Sequence, residues 1–302
     1  MKQLYPLLLF LTFYHPFNAQ YKLDVGIKLG ASNYLGDIGG NNATRKDFLN
    51  DLKLAETKLS TGAFVRYRLL PQVSVCLSYN YGRIAGDDAL SSNPSRKDRN
   101  LSFRNDIHEL SLEGQYFFYS VNDLFHTYHF RNNFRTYIGT GVAVFHHNPQ
   151  TFYEGEWIDL RPLRTEGELQ PYSSFDLSIP FTAGFYFTFK NKYRMGWEIG
   201  WRKTFTDYLD DISGRYAPPS DLPNSLAVAL ANRTQAATSN AEMAANYAPG
   251  NKRGDPNHND SYIFTTINFS YVFRGRSRQN SRVNWIKYGR KIRRTRHFPV
   301  KF

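Results

Sequence analysis

The stretch LSIPFTAGFYFTFKNKYRMGWEIGWRK, Leu177 to Lys203, decides how the chain folds. Ile179, Phe181, Phe185, Phe187 and Phe189 fall on one side of a period-two zigzag, and beyond KNK, Lys190 to Lys192, so do Met195, Trp197, Ile199 and Trp201. Successive side chains of an extended backbone point to opposite faces. The pattern therefore predicts two antiparallel strands joined by a tight turn, one face apolar and aromatic, the other carrying Glu198 and Arg202.

The same period recurs upstream and downstream. Leu23, Val25, Ile27, Leu29 and Ala31 oppose Asp24, Gly26, Lys28, Gly30 and Ser32. Further alternating segments run over 59–69, from Val73 to Tyr81, from Leu110 to Phe118, over 134–146 and over 261–273. With the opening pair this gives eight segments, most of them ~10 residues or longer, the length a tilted strand needs to cross a bilayer. Alternate links are short or moderate: the turn around Pro71, the link from Ser120 to Asn133, and KNK. The other links, 35–58, 84–105, 147–176 and 205–260, are long. Short turns on one side and long loops on the other are the habit of bacterial outer-membrane barrels, whose short turns are periplasmic. The expectation is an all-β fold: an eight-stranded antiparallel transmembrane outer-membrane barrel over 20–274, with both of its ends periplasmic.

A soluble eight-stranded sandwich or barrel is the competing architecture, because alternation fixes faces and not the medium each face meets. It would put the large aromatics inside and the charges outside. In the membrane reading the charged set turns inward: Lys28, Arg66, Arg68, Glu109, Glu113, Glu198 and Arg202. Eight strands enclose a space that side chains can just fill, so these residues are expected to form ion pairs that plug the lumen and leave no open pore.

The flanks agree with export. Residues 1–19 join Lys2 to an apolar run from Leu4 to Tyr14, too short to span a bilayer, and read as a secretory signal. Cys76 is the only cysteine, which excludes an internal disulfide and a lipid anchor at the processed terminus. The formal charge of +12 is local. Of 38 Lys and Arg, ten lie in 275–302, a stretch without acids, so the rest of the chain holds 28 against 26 acidic residues. This basic tail, with Arg290, Lys291, Arg293 and Arg294 at its centre, suits an acidic protein surface; export argues against nucleic acid.

Signs of catalysis are few: no nucleophile elbow, zinc-protease helix, phosphate-binding loop or dinucleotide fingerprint is present. His146 and His147 are adjacent on a strand end and point to opposite faces; His126 and His129 lack an obvious third ligand. Paired carboxylates at Asp87 and Asp88 and at Asp210 and Asp211 read as solvated loop roots before they read as an acid/base pair. The RGD triplet at Arg253 to Asp255 has the weight of a chance match. An Ala-rich piece of the last long loop, beginning at Ser225, reads as a short helix or a lid.

Several long motifs resemble one family. KLDVGIKLGASNYLGDIGG, YGRIAGDDA with RNLSFRNDIHELS, EGEWIDLRPLRTEGE, WRKTFTDYLDDISGRY and GDPNHNDSY, in this order, are similar to the PorG-type outer-membrane proteins of Bacteroidota. The resemblance implies a non-enzymatic outer-membrane barrel of the type IX secretion and gliding machinery, associated with a periplasmic ring of PorK-like lipoprotein and PorN-like subunits. It implies no cofactor and no small-molecule substrate, and it stops near Arg274.

YLGDIGG, Tyr34 to Gly40, and YLDDISG, Tyr208 to Gly214, end the first and seventh segments, which flank the eighth in a closed barrel. Asp37, Asp210 and Asp211 are thereby expected at one rim. Their reading is either a cation site or hydrogen bonds that turn the chain out of the barrel, with Gly36, Gly39, Gly40 and Gly214 supplying positive φ.

Overall fold

The computed structural model describes residues 23–38, 56–121, 133–234, 245–256 and 258–273. The signal, the tail with Arg290, Lys291, Arg293 and Arg294, and the turn holding His126 and His129 lie outside them.

Ten strands form: β1 Leu23–Leu35, β2 Lys58–Leu70, β3 Val73–Asp87, β4 Ser102–Val121, β5 Asn133–His146, β6 Pro149–Tyr153, β7 Glu156–Asp159, β8 Phe175–Phe189, β9 Tyr193–Thr204 and β10 Ser261–Phe273. Eight of them close a barrel. The antiparallel order β3-β2-β1-β10-β9-β8-β5-β4 is sealed by the β3–β4 pairing, while β6 and β7 form a hairpin in the third long loop. Short helices α1 Pro94–Arg99 and α2 Ser225–Ala231 sit in the second and fourth long loops.

The inside-out pattern excludes the soluble alternative. Lys28 and Glu198 are 1% and 3% exposed, whereas Ile138 and Val142 are 52% and 63% exposed. Water would penalise that wall of Leu, Ile, Phe and Trp; hydrocarbon does not. Closure leaves none of the eight barrel strands as an edge with unpaired backbone groups, the other condition for entering a bilayer.

The strands do not keep one polarity along their length. β3 and β4 were expected to end near Ile84 and to begin near Leu110, yet they stay paired out to Asp87↔Ser102. Across this extension the faces invert. Ile84, Phe103 and Ile107 turn inward and are buried, while Arg83 and Asp106 turn outward as a half-exposed ion pair at 2.6 Å. The hairpin has left the bilayer and become an ordinary amphipathic one, apolar inside and charged outside. Its inward residues join Tyr34, Ile38, Phe145, Leu209, Ile212, Leu230, Tyr262 and Phe264 in one apolar core at the long-loop end. The long loops are therefore a packed cap on that mouth.

Candidate functional site: a filled lumen between two unlike mouths

Alternation brings the inward charges of different strands to matching heights. In mid-barrel the Lys28 ammonium meets Glu198 at 2.7 Å, and the other Glu198 oxygen accepts from the Tyr137 hydroxyl at 2.5 Å. Nearer the cap, Arg202 binds Glu109 at 3.1 Å, and Glu109 also accepts from Tyr262 and Asn80. Glu113 accepts from Thr182 at 2.9 Å and lies 4.0 Å from Arg202. Close fit requires missing side chains: a Cβ on Gly200 would stand 1.9 Å from Arg202 Nη1. With Lys28 and Arg202 each paired to a carboxylate across the interior and rings between them, the lumen is a plug.

At the short-turn end the pairing runs out. Asp24, on the same inward face as Lys28, accepts from both Arg66 and Arg194. Arg66 also donates to Gln115 at 2.7 Å and to Tyr137 at 3.4 Å. Arg68, expected in an ion pair, has none among the described residues. It reaches the Tyr186 hydroxyl at 3.4 Å instead, because the inward positions around it hold Tyr186, Arg135 and Arg194 rather than an acid. Arg135 donates to the Pro71 carbonyl at 3.1 Å. Asp24, Arg194, Gln115 and Tyr137 are members of the lumen network that the reading of charges had passed over.

At the long-loop end the aspartates of YLGDIGG and YLDDISG meet, but not as one cluster. The Tyr34 hydroxyl lies 2.5 Å from Asp210 Oδ2 and 2.8 Å from Asp260 Oδ1, and accepts from the Asp37 backbone N–H at 2.9 Å. A phenol has one proton to donate. The two carboxylates therefore compete for it, and burial, reinforced by the charge of Asp37, pushes the Asp210 carboxyl up to about 7. Each also accepts a backbone N–H, Asp210 from Ile212 at 3.0 Å and Asp260 from Leu209 at 3.1 Å.

Asp211 faces another way. It accepts from Thr165 at 2.5 Å and Tyr172 at 2.8 Å, and burial lifts it to about 7 against the pull of Arg253, whose Nη2 is 3.8 Å off. Among the described residues no group of three His, Cys, Asp or Glu side chains is placed to hold a metal. The separate partners of Asp210 and Asp211 give the physical reason.

Of the paired aspartates only Asp87 is partly exposed, accepting from the Ala89 N–H at a loop root; the others are not solvated. Asp88, Asp210 and Asp211 are all buried. Asp88 takes Arg99 at 2.7 Å, and Arg99 in turn donates to the carbonyls of Asp37 and Arg253. Arg253, the first residue of RGD, is 4% exposed and binds Glu166 at 3.0 Å and the Asp211 carbonyl at 2.7 Å. Glu166 also takes the N–H groups of Ser213 and Gly214. Two arginines thus tie all four long loops together, an arrangement no local pattern announced. The glycine expectation fails too: Asp211 itself takes positive φ, 68°, whereas Gly36 and Gly214 do not. Gly36 is needed for space, since a Cβ there would lie 1.8 Å from the Tyr34 oxygen. Gly39 and Gly40 lie outside the described residues.

His147 is buried against Asp176 at 3.1 Å and stacks on Tyr172, which stacks on Tyr208 at 4.6 Å. Beside that stack Glu166, Tyr208, Tyr216, Lys252 and Asp255 line an open cleft of about 640 Å³.

The sequence profile of a family described as a domain of unknown function, DUF6089, matches residues 2–222, which include β1 to β9 and both aspartate motifs. The chain belongs to the DUF6089 family. Solved structures similar to this DUF6089 chain are bacterial outer-membrane barrels at low identity. The N-terminal β-barrel domain of Pseudomonas aeruginosa OprF has 9% identity and a TM-score of 0.34, with 84% of this chain and 100% of that one covered. The attachment invasion locus protein Ail of Yersinia pestis has 10% identity and a TM-score of 0.32, covering 83% and 99%. OprG of P. aeruginosa has 11% identity and a TM-score of 0.36, covering 86% and 100%. No curated protein matches the chain in sequence.

Proposed function

We propose that this DUF6089 barrel is a non-enzymatic outer-membrane component of the type IX secretion system that tethers or positions a periplasmic ring at the membrane. The run of PorG-type motifs from KLDVGIKLG to GDPNHNDSY supports the reading. The observation that carries it is the filled and capped lumen: with Lys28–Glu198 and Arg202–Glu109 across the interior and an apolar core over one mouth, the barrel offers no conduit. What it offers a machine is a fixed membrane anchor with a short-turn end, taken as periplasmic. There the ring of PorK-like lipoprotein and PorN-like subunits docks, aided by Arg290, Lys291, Arg293 and Arg294 of the tail.

Purification of the tagged chain in mild detergent is expected to bring the ring proteins with it, and a deletion strain is expected to retain secretion cargo in the periplasm. Unchanged secretion in that strain contradicts the reading. A surface ligand-binding or adhesion role is the second reading, and the open cleft beside Tyr208 favours it. Loss of adhesion with intact secretion would select it.

A further inference from the structure

We infer that the short-turn mouth of the barrel is a docking site for carboxylate side chains of an acidic polypeptide segment, received by Arg68, Arg135 and Arg194. The inference rests on the proposed periplasmic orientation of that end and names the chemistry of the partner it meets.

The first ground is charge balance. Arg66, Arg68, Arg135 and Arg194 converge on Tyr186, Phe117 and Tyr137, and Asp24 is their one carboxylate among the described residues. Deeper in the lumen the balance reverses, with Glu109, Glu113 and Glu198 against Lys28 and Arg202. A cluster of like charges at the edge of a low-dielectric lumen is stabilised by an anion.

The second ground is unused donors. Arg194 is 8% exposed, yet its Nε has no acceptor, and the buried Nε of Arg68 has none either. Buried guanidinium N–H groups left without acceptors are costly, and a carboxylate is the acceptor whose geometry fits their fork.

The third ground concerns what can reach the site. Arg68, Arg135 and Arg194 occupy inward positions of β2, β5 and β9, so a lipid headgroup would have to leave the wall to meet them. A polypeptide arrives from the aqueous side, where Arg68 and Arg135 remain partly exposed. The chain's own segment 275–302 holds no acidic side chain.

The test uses the full chain in zwitterionic phosphatidylcholine nanodiscs, with all ten Lys and Arg of 275–302, Arg290, Lys291, Arg293 and Arg294 among them, changed to Gln so that the tail does not bind the probe. A labelled oligoglutamate peptide is titrated by fluorescence anisotropy. Saturable binding is expected, weakened at least about tenfold by Arg68→Gln with Arg135→Gln and largely kept by Arg68→Lys with Arg135→Lys. Both pairs leave the Asp24–Arg194 contact in place, and heat-modifiable gel migration checks folding.

Absence of binding, equal binding by the Gln variant, or equal weakening by Arg215→Gln at the opposite end overturns the inference. Peptide binding without ring capture from cells would leave the site standing and remove the proposed partner. Ring capture without peptide binding would do the reverse.

Discussion

The two mouths of this barrel are finished in opposite ways. At the long-loop mouth Arg99 and Arg253 each find a carboxylate and two or more loops, and an apolar core lies beneath them. At the short-turn mouth one aspartate serves two arginines, and among the described residues two more have no carboxylate. Side chains close the first mouth completely enough to behave like a small soluble domain. The second leaves charge in reserve, and reserve charge is what a partner can use.

That contrast can be attacked where it is strongest, in the plug between the mouths. Glu109→Ala leaves Arg202 with only Glu113 at 4.0 Å and strips Tyr262 and Asn80 of their acceptor. Loss of a buried charge's partner costs about 3–5 kcal/mol. The urea midpoint of the folded band on gels should fall accordingly. On the outer wall, Val142→Arg puts a charge where lipid is expected and should cost about 2–4 kcal/mol near mid-bilayer, seen as reduced assembly into the membrane.

The cap rests on smaller contributions. Tyr34→Phe removes the hydroxyl shared by Asp210, Asp260 and the Asp37 N–H, and should loosen the cap by about 1–3 kcal/mol, read as faster proteolysis of the long loops.

The sign of its pH dependence follows from Asp210. An unfolded aspartate ionises near ~3.9, whereas the folded one does so at about 7, so between these values the fold holds a proton the open chain lacks. Cap stability should therefore fall as pH rises through that window, Asp210 contributing at most about 1.4 kcal/mol per pH unit. Hydrogen exchange of cap amides measures it, and Asp210→Asn, a standing neutral side chain, should reduce the slope by about half, the rest coming from Asp211, which is lifted to about 7 as well. Least of all, Arg83→Ala breaks a half-exposed pair and should cost under about 1 kcal/mol.

The barrel was written in period two. Parity alone assigns Lys28, Glu198 and Arg202 to the lumen, and Asp24 and Arg194 share that parity. What parity cannot tell is which acid meets which base, since that depends on the height each strand reaches around the barrel; Arg68 stands at a level where its inward neighbour is Tyr186 and not an acid. The cap was hidden for a different reason. Asp88 meets Arg99, and Arg253 meets Glu166, through loops with no repeat, and the inversion of β3 and β4 at Ile84 and Ile107 looks in sequence like the end of a strand.

The most direct test of the unlike mouths places p-benzoylphenylalanine at position 192, in the exposed short turn next to Arg194, or at position 215, on the exposed surface of the cap, and irradiates intact cells. The ring proteins should be captured from position 192 and not from position 215. Capture from 215, or from neither position, would contradict the assignment of the short-turn mouth as the end that holds the partner.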